Sequence, residues 1–489
     1  MYNTSKLIVD TVRMKGDRAA FSVDNEDITF RDLFLMARAT TEYVQNESVE
    51  HVGIYCHSIK KFIISFYSCL LSGTPAFLIS TSISEHEMES LCAQFKVTTL
   101  LTDTNSNKLS EIIKCIEPVS EVGLSQDIDF REYANVDGND VAFYLMTSGT
   151  TGKKRSVPVT HRNLLWTGRS FNEFMEITEN QKEMVLIPLT HSFGARRIIA
   201  QLLLGGCIYS LNGIFNPAAA LMCIKQNNCT VLSLVPSQVR MFQQYFNNDF
   251  NEIGNKIKFI ELSSEYMAPH EKKELMKNAP NAQIVMGYGL TEATRSSLLH
   301  FQKNSDKMHT SGKPISGIEV LILDKNDSPV SDGAEGQIAI KGPNVADSYY
   351  GSNIEGNENF RNGCFFTGDS GFMDEDGFLS VTGRIDDIIN VGGKKFNPIE
   401  LELDLREKFP GIDCAISYIP DKLLGSRPVL CIKGENNGAT DILDYISINF
   451  ESFKHPSRVV YMNEIFRTEN GKIIRSMLNN KVLEKVRGI

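Results

Sequence analysis

The sequence predicts an α/β protein: a large N-terminal domain of helix-covered sheets plus a small β unit, followed by a small α+β C-terminal domain. Three observations predict it. Short β-branched runs alternate with segments of helical period through the first half, brief strands separated by Gly, Asp and Asn turns follow after Ile315, and a new α+β pattern begins past Gly383. In chain order, Arg31 to Val44 puts Leu33, Met36, Ala37, Thr40, Tyr43 and Val44 on one helical stripe, and Val52 to Tyr55 reads as a buried strand. Further strands are expected at Ala76–Ile79, Thr98–Leu101, Val141–Met146, Met184–Ile187, Val231–Val235, Lys258–Leu262 and Gln283–Met286. The small β unit is expected from Val320–Leu323, Gly336–Ile340 and Gly377–Val381. Beyond it come a helix at Pro398–Phe409, a strand at Cys414–Ile419, a helix at Thr440–Phe450 and a charged last helix. The domain boundary falls between 1–384 and 385–489, and the tail is long enough for a unit of its own.

With 489 residues, 42% hydrophobic and 22% charged, the chain exceeds a single small binding module and has the balance of a globular protein. Disorder, coiled coil and collagen are excluded. Lys plus Arg total 50 against 60 Asp plus Glu, a net charge of -10, so no general attraction for nucleic acid or anionic lipid is expected. The ten cysteines include no C-x-x-C pair and no metal-ligand cluster with His, which fits free thiols in a reducing compartment. The N-terminus offers no signal-peptide core, and the longest apolar run, Phe62–Leu71, is too short to span a bilayer. A cytoplasmic protein is expected.

The sharpest local signal is Tyr144-Leu145-Met146-Thr147-Ser148-Gly149-Thr150-Thr151-Gly152-Lys153-Lys154-Arg155, a strand running into hydroxyls, glycines and three cations. Glycines let backbone N–H groups converge on an anion, hydroxyls add donors and the cations neutralise charge, so this is a phosphate cradle. Read alone, it is also compatible with a polar turn. The P-loop of kinases and ATPases is excluded, because only Thr150 and Thr151 separate Gly149 from Gly152.

Five more segments accompany it: Ile187-Pro188-Leu189-Thr190-His191-Ser192-Phe193-Gly194; Gly287-Tyr288-Gly289-Leu290-Thr291-Glu292-Ala293; Phe366-Thr367-Gly368-Asp369; Gly383-Arg384-Ile385-Asp386-Asp387-Ile388-Ile389-Asn390-Val391-Gly392-Gly393; and Arg467-Thr468-Glu469-Asn470-Gly471-Lys472. In kind and order these six resemble the motifs of the adenylate-forming superfamily, which includes acyl-CoA synthetases, aryl-acid ligases, nonribosomal adenylation domains and firefly-type luciferases. They span about residues 143 to 475. The resemblance implies an AMP-forming ligase using ATP, Mg²⁺ and coenzyme A, or a carrier protein's phosphopantetheine in its place. A carboxylate attacks the α-phosphate of ATP, so two anions must meet while charge builds on phosphorus, and positioning plus neutralisation carry the work.

By this resemblance, Thr147, Ser148, Gly149, Thr150, Thr151 and Gly152, with Arg155, hold the β- and γ-phosphates. Thr291 contacts the α-phosphate, and Glu292 helps hold the metal as a hard oxygen ligand. Tyr288, between Gly287 and Gly289, lies against adenine; Asp369 accepts from the ribose hydroxyls; Arg384 contacts ribose or phosphate. Lys472 reaches the carboxylate and α-phosphate oxygens in the first step. His191 and Phe193 gate the carboxylate tunnel, with core packing as the plainer alternative. Asp386 is the hinge about which a mobile C-terminal domain rotates between steps. Gly392 and Gly393 leave room for the pantetheine arm, where Lys394 and Lys395 can meet CoA phosphates.

Three departures stand out. Lys154 then Arg155 replace the family's usual proline then lysine, which exchanges a point charge for a planar fork. At the wall shared by adenine and acyl group, Leu262-Ser263-Ser264-Glu265-Tyr266 adds bulk that would shorten the acyl pocket or alter adenine contacts, with a plain strand end as the alternative. Phe466-Arg467 replaces a proline before the C-terminal loop. No aspartate follows Phe193, where Gly194 and Ala195 stand, so an α-amino acid substrate is disfavoured. Arg196, Arg197 and Arg295 fall near these motifs; buried, one would imply a second acidic or carbonyl group on the substrate, but solvated helix-surface roles are expected for at least two of them. The rival readings are a loader of a carrier protein, an ATP phosphotransferase releasing ADP, and a non-catalytic nucleotide-binding homologue.

Overall fold

The apolar runs become the central strands of four sheets among the residues that the computed structural model describes, which are 3–47, 49–104, 113–121, 136–148, 154–351, 356–409, 411–434, 438–467 and 473–487. The largest has nine strands in the order Lys313–Pro314, Ser297–His300, Gln283–Tyr288, Phe259–Leu262, Val231–Leu234, Lys182–Val185, Cys207–Ser210, Ala19–Val23 and Glu26–Thr29. Its middle strands run parallel and are buried at every position from Val231 to Leu234 and from Phe259 to Leu262, as strands covered on both faces must be. The second sheet has six strands: Lys114–Ile116, Thr99–Thr102, Val52–Tyr55, Ala76–Leu78, Val141–Ser148 and Lys154–Thr160.

The run Phe62–Leu71 lies within the helix Ile59–Ser72, which is capped by the Ser58 side chain accepting from the Lys61 amide and ended by Gly73 at φ 73°. Its ten residues from Phe62 to Leu71 are all buried, which explains an apolar stretch without helical alternation: it is a core helix packed on all sides. No helix among the described residues is long and apolar enough to cross a membrane. The helix Phe30–Asn46 buries Leu33, Met36, Ala37, Thr40 and Val44 as expected, but Tyr43 is 55% exposed because the buried stripe of the last turns is carried by Thr40, Thr41 and Val44.

The small β unit is a five-stranded antiparallel sheet in which Cys364–Met373 pairs with Gly336–Lys341, Phe360–Arg361 and Leu379–Arg384, and Gly336–Lys341 pairs in turn with Glu319–Leu323. The expected strand Gly377–Val381 starts at Leu379 instead, since Gly377 at φ 78° belongs to the turn. Past Ile385 the fourth sheet, of Ile389–Val391, Lys394–Phe396, Cys414–Asp421, Gly425–Lys433 and Val459–Met462, packs with the helices Pro398–Lys408, Ala439–Asn449 and Arg475–Arg487 around its own apolar clusters. The parallel strands bring the ends of Phe259–Leu262 and Gln283–Tyr288 together, the place where α/β sheets bind ligands.

Candidate functional site

At that end of the sheet, Tyr288 donates from its hydroxyl to Asp369 Oδ2 at 2.6 Å. Asp369 lies directly across the antiparallel ladder from Arg384, whose Nη1 donates to Asp369 Oδ1 at 3.3 Å and to the Thr367 carbonyl at 2.9 Å. The Thr367 hydroxyl in turn accepts from the Asp369 amide at 3.0 Å. Gly368 has φ 73°, and a Cβ there would come within 2.8 Å of Arg384 Nη2, so glycine is what lets the arginine fold back over the strand. Burial, with the Asp369 charge next, pushes the Tyr288 phenol well above its ordinary range and keeps it a donor. The result is a carboxylate held rigidly between two donors, an acceptor suited to vicinal hydroxyls.

A second corner forms around Glu292, which is 7% exposed. Its Oε1 accepts from the Tyr349 hydroxyl at 2.6 Å, and the Arg155 guanidinium lies over the Tyr349 ring at 5.2 Å from the centroid. Arg155 stands opposite Thr147 in the hairpin formed by Val141–Ser148 and Lys154–Thr160, with Lys154 opposite Ser148. The two cations face different ways: Lys154 pairs with Glu87 at 2.7 Å, while Arg155 joins Tyr349. Tyr349 thus ties the cation of the phosphate loop to the carboxylate expected at the metal. The sequence reading missed it, because Ala346-Asp347-Ser348-Tyr349 matches no motif. Gly149, Thr150, Thr151, Gly152 and Lys153 lie outside the described residues, as does the side chain of Ser148. The described residues hold no group of three or more His, Cys, Asp or Glu at metal-binding distance. A lone carboxylate such as Glu292 fits an ion whose other ligands are phosphate oxygens and water.

Thr291 is half-buried just before Glu292, and Gly289 is required where it stands, since a Cβ there would meet the Arg295 amide at 2.5 Å. Gly287 offers its carbonyl to the Ser263 hydroxyl at 3.2 Å. Ser264 adopts φ 77°, Glu265 pairs with Arg240 at 3.0 Å, and the Tyr266 carbonyl accepts from Arg240 Nη2 at 2.9 Å. Arg240 also binds Glu271 at 2.6 Å, so it staples this wall to the helix Pro269–Asn278. The Tyr266 ring is 37% exposed and feels the charges of Glu407 and Arg406 on the helix Pro398–Lys408.

His191 caps the helix Ser192–Leu204 by accepting from the Phe193 amide at Nδ1, 3.4 Å away. Phe193 is buried in the main apolar cluster. Gly194 has a packing reason of its own, because a Cβ would lie 2.3 Å from the Pro188 carbonyl. The expected solvation of the nearby arginines is overturned: Arg196, Arg197 and Arg295 are 1%, 0% and 5% exposed. Arg197 binds Glu183 through two bonds of 2.5 and 2.6 Å, and Arg295 binds Glu261 through two of 2.6 and 2.9 Å. The sequence carried no sign of this, because Glu183 and Glu261 are scattered along strands that meet only in the sheet.

Asp386 occupies the single 3-10 turn Ile385–Asp387 between the strands Leu379–Arg384 and Ile389–Val391. Its neighbour Asp387 lies 3.6 Å from Arg475. Gly392 and Gly393, at φ 60° and 87°, form the tight turn before Lys394–Phe396, where only glycine enters the left-handed region without strain. Lys394 lies over the Phe453 ring at 5.1 Å. The Lys395 side chain and Lys472 lie outside the described residues.

Residues 8–350 match the family described as AMP-binding enzyme. The chain is 31% identical over 349 residues to oxalate–CoA ligase of Saccharomyces cerevisiae, a match covering 70% of this chain and 63% of that enzyme. It is 26% identical to 2-succinylbenzoate–CoA ligase of Bacillus subtilis over 97% of both chains. The fold is that of o-succinylbenzoate CoA synthetase from Bacillus subtilis, solved with its acyl-adenylate (TM-score 0.87, 24% identity, 98% of each chain), and of ATP-bound MatB from Rhodopseudomonas palustris (TM-score 0.85, 18% identity, 98% and 99% covered). The chain is therefore a member of the AMP-binding enzymes, the adenylate-forming superfamily that its six motifs resemble.

Proposed function

We propose that the protein joins a carboxylic acid without an α-amino group to coenzyme A at the expense of ATP, releasing AMP and pyrophosphate. The observation that carries this reading is the pair of corners on one sheet end: Asp369 braced by Tyr288 and Arg384, and Glu292 braced by Tyr349 beside Arg155. Relatives named as CoA ligases over nearly the whole chain support the acceptor.

In the first step a carboxylate oxygen bonds to the α-phosphorus while the bond to the bridging oxygen of pyrophosphate breaks. Asp369 fixes the ribose, Thr291 and Lys472 meet the α-phosphate oxygens, and Arg155 with Thr147 to Gly152 holds the leaving pyrophosphate. Glu292 would hold Mg²⁺, which neutralises charge on the phosphates when bound. In the second step the CoA sulfur bonds to the acyl carbon, its proton is lost to solvent, and AMP departs. Rotation at Asp386 exchanges Lys472 for the thiol path past Gly392 and Gly393. Nothing carboxylate-bearing stands at Gly194 or Ala195 to receive an ammonium, which supports the exclusion of amino acids.

Incubating the protein with MgATP, coenzyme A and a panel of carboxylic acids tests the reading. AMP, pyrophosphate and an acyl-CoA mass are expected. Release of ADP would replace adenylation by phosphoryl transfer, and AMP release indifferent to coenzyme A would remove it as acceptor.

A further inference from the structure

The buried charges beside the helix that His191 caps do not balance. Three guanidinium groups, of Arg196, Arg197 and Arg295, meet two carboxylates, of Glu183 and Glu261. Glu183 is saturated, accepting from Arg197 twice, from Gln201 Nε2 at 2.5 Å and from Ser233 Oγ at 2.7 Å. Glu261 is taken by Arg295, with Arg197 Nη1 a further 3.4 Å away. Arg196 is the one left over. Its hydrogen bond is from Nη1 to the neutral Thr167 hydroxyl at 3.0 Å, and among the described residues its Nε has no partner and neither has Nη1 of Arg295.

A cation enclosed in protein without an anion is strongly unfavourable, and natural chains pair such groups or replace them by apolar side chains. Burial pushes Arg196 down to about 9, with the positive charge of Arg295 next, and no carboxylate among the described residues counters them. The group is therefore still charged at neutral pH. Its place in the fold suggests what completes it. Arg196 is on the second turn of the helix that His191 caps, and Arg295 follows Thr291-Glu292 closely in the chain with its guanidinium 5.8 Å from the Phe193 ring. The surplus charge thus adjoins the segment expected to gate the carboxylate tunnel and follows closely on the one expected at the α-phosphate and the metal.

We propose that Arg196, aided by the unpartnered Nη1 of Arg295, receives a second anionic group on the acyl substrate, so that the acid activated here is a dicarboxylic acid or one with an equivalent acidic function. The inference rests on the acid–CoA ligase reading and specifies its substrate class. Recognition is by a desolvated charge pair, which rejects the analogue lacking the second charge because that analogue leaves the arginine buried and alone.

The test is pyrophosphate exchange with α,ω-diacids of increasing length and one aromatic diacid, each against its monomethyl ester, on the wild type, Arg196→Met and Arg196→Lys. The wild type is expected to favour a diacid over its ester by about 100-fold in kcat/KM, Arg196→Met to bring that ratio near unity, and Arg196→Lys to retain part of it. That diacid should also raise the wild type's Tm but not that of Arg196→Met, whose own Tm should equal or exceed the wild type's once the unpaired charge is gone. A wild type preferring the esters, or an Arg196→Met enzyme with the diacid preference intact, overturns the proposal. A Tm rise of the same size with sodium chloride marks an adventitious ion and overturns it as well. If no acid supports exchange, the ligase reading falls, while the Tm comparison still decides whether Arg196 binds a diacid. A misfolded Arg196→Met leaves Arg196→Lys and the wild-type ratio to decide.

Discussion

Replacing Tyr349 by Phe removes one hydroxyl that meets both Glu292 and Arg155. The ring stays, so the Arg155 guanidinium keeps its place 5.2 Å from the ring centroid, while the hydroxyl that donates to Glu292 at 2.6 Å and meets the Arg155 side chain is lost. A hydrogen bond to a charged group contributes about 1.5–3 kcal/mol, and Glu292 at 7% exposure has little water to replace it. If Glu292 holds the metal, that energy is spent on keeping a carboxylate oxygen aimed at it. At about 1.4 kcal/mol per factor of ten, kcat/KM for ATP should fall roughly 10- to 100-fold. The Mg²⁺ concentration for half-maximal rate should rise in parallel. The assay is initial-rate pyrophosphate release across a Mg²⁺ titration, with Tyr350→Phe as a comparison, since that ring packs against Tyr144 at 4.7 Å instead. A Tyr349→Phe enzyme whose kcat/KM and Mg²⁺ response both match the wild type would refute the link between Tyr349, Glu292 and the metal.

Lys472→Ala should cost adenylation about 3–4 kcal/mol, the scale for a group acting on developing oxyanion charge, while CoA thioester formation from supplied acyl-adenylate persists; equal losses in the two half-reactions would remove Lys472 from the first step. Asp386→Pro fixes φ within the turn Ile385–Asp387, so pyrophosphate exchange should continue while acyl-CoA formation falls, and normal acyl-CoA turnover in that variant would place the hinge elsewhere. His161 is buried, bonded to the Thr4 hydroxyl at 2.5 Å, and burial pushes its imidazole down to about 4, with Asp140 opposing. Because the unfolded chain takes up this proton first, its contribution to stability is complete above about 6.5 and is lost as pH falls toward 4, a change of roughly 3 kcal/mol. His161→Gln should flatten that part of the acid limb in urea titrations at pH 7 and pH 5, and an unchanged difference between the two would count against it.

Adenylation chemistry was legible in the sequence because phosphate and ribose are met by local residue types at fixed spacing. A hydrophobic run leading into Thr147-Ser148-Gly149, or Gly368 before Asp369, states its backbone need and its donors within a few residues. The central parallel strands were equally legible, since β-branched runs such as Val231–Leu234 are buried on both faces whatever their neighbours are, whereas Ala19–Val23, Cys207–Ser210 and Ser297–His300 went unread. Their order was not: Ala19–Val23 lies beside Cys207–Ser210, a pairing that no local pattern encodes. Nor did the sequence show that Lys154 turns to Glu87 while Arg155 turns to Tyr349, which depends on what each side of a hairpin faces. The arginines mark the limit most clearly. Arg196, Arg197 and Arg295 look like solvated charges along the chain, and only the meeting of strands carrying Glu183 and Glu261 with the helix that His191 caps makes two of them ion pairs and leaves the third without an anion among the described residues. Burial and charge balance are sums over elements distant in sequence, and so the tertiary structure alone decides them.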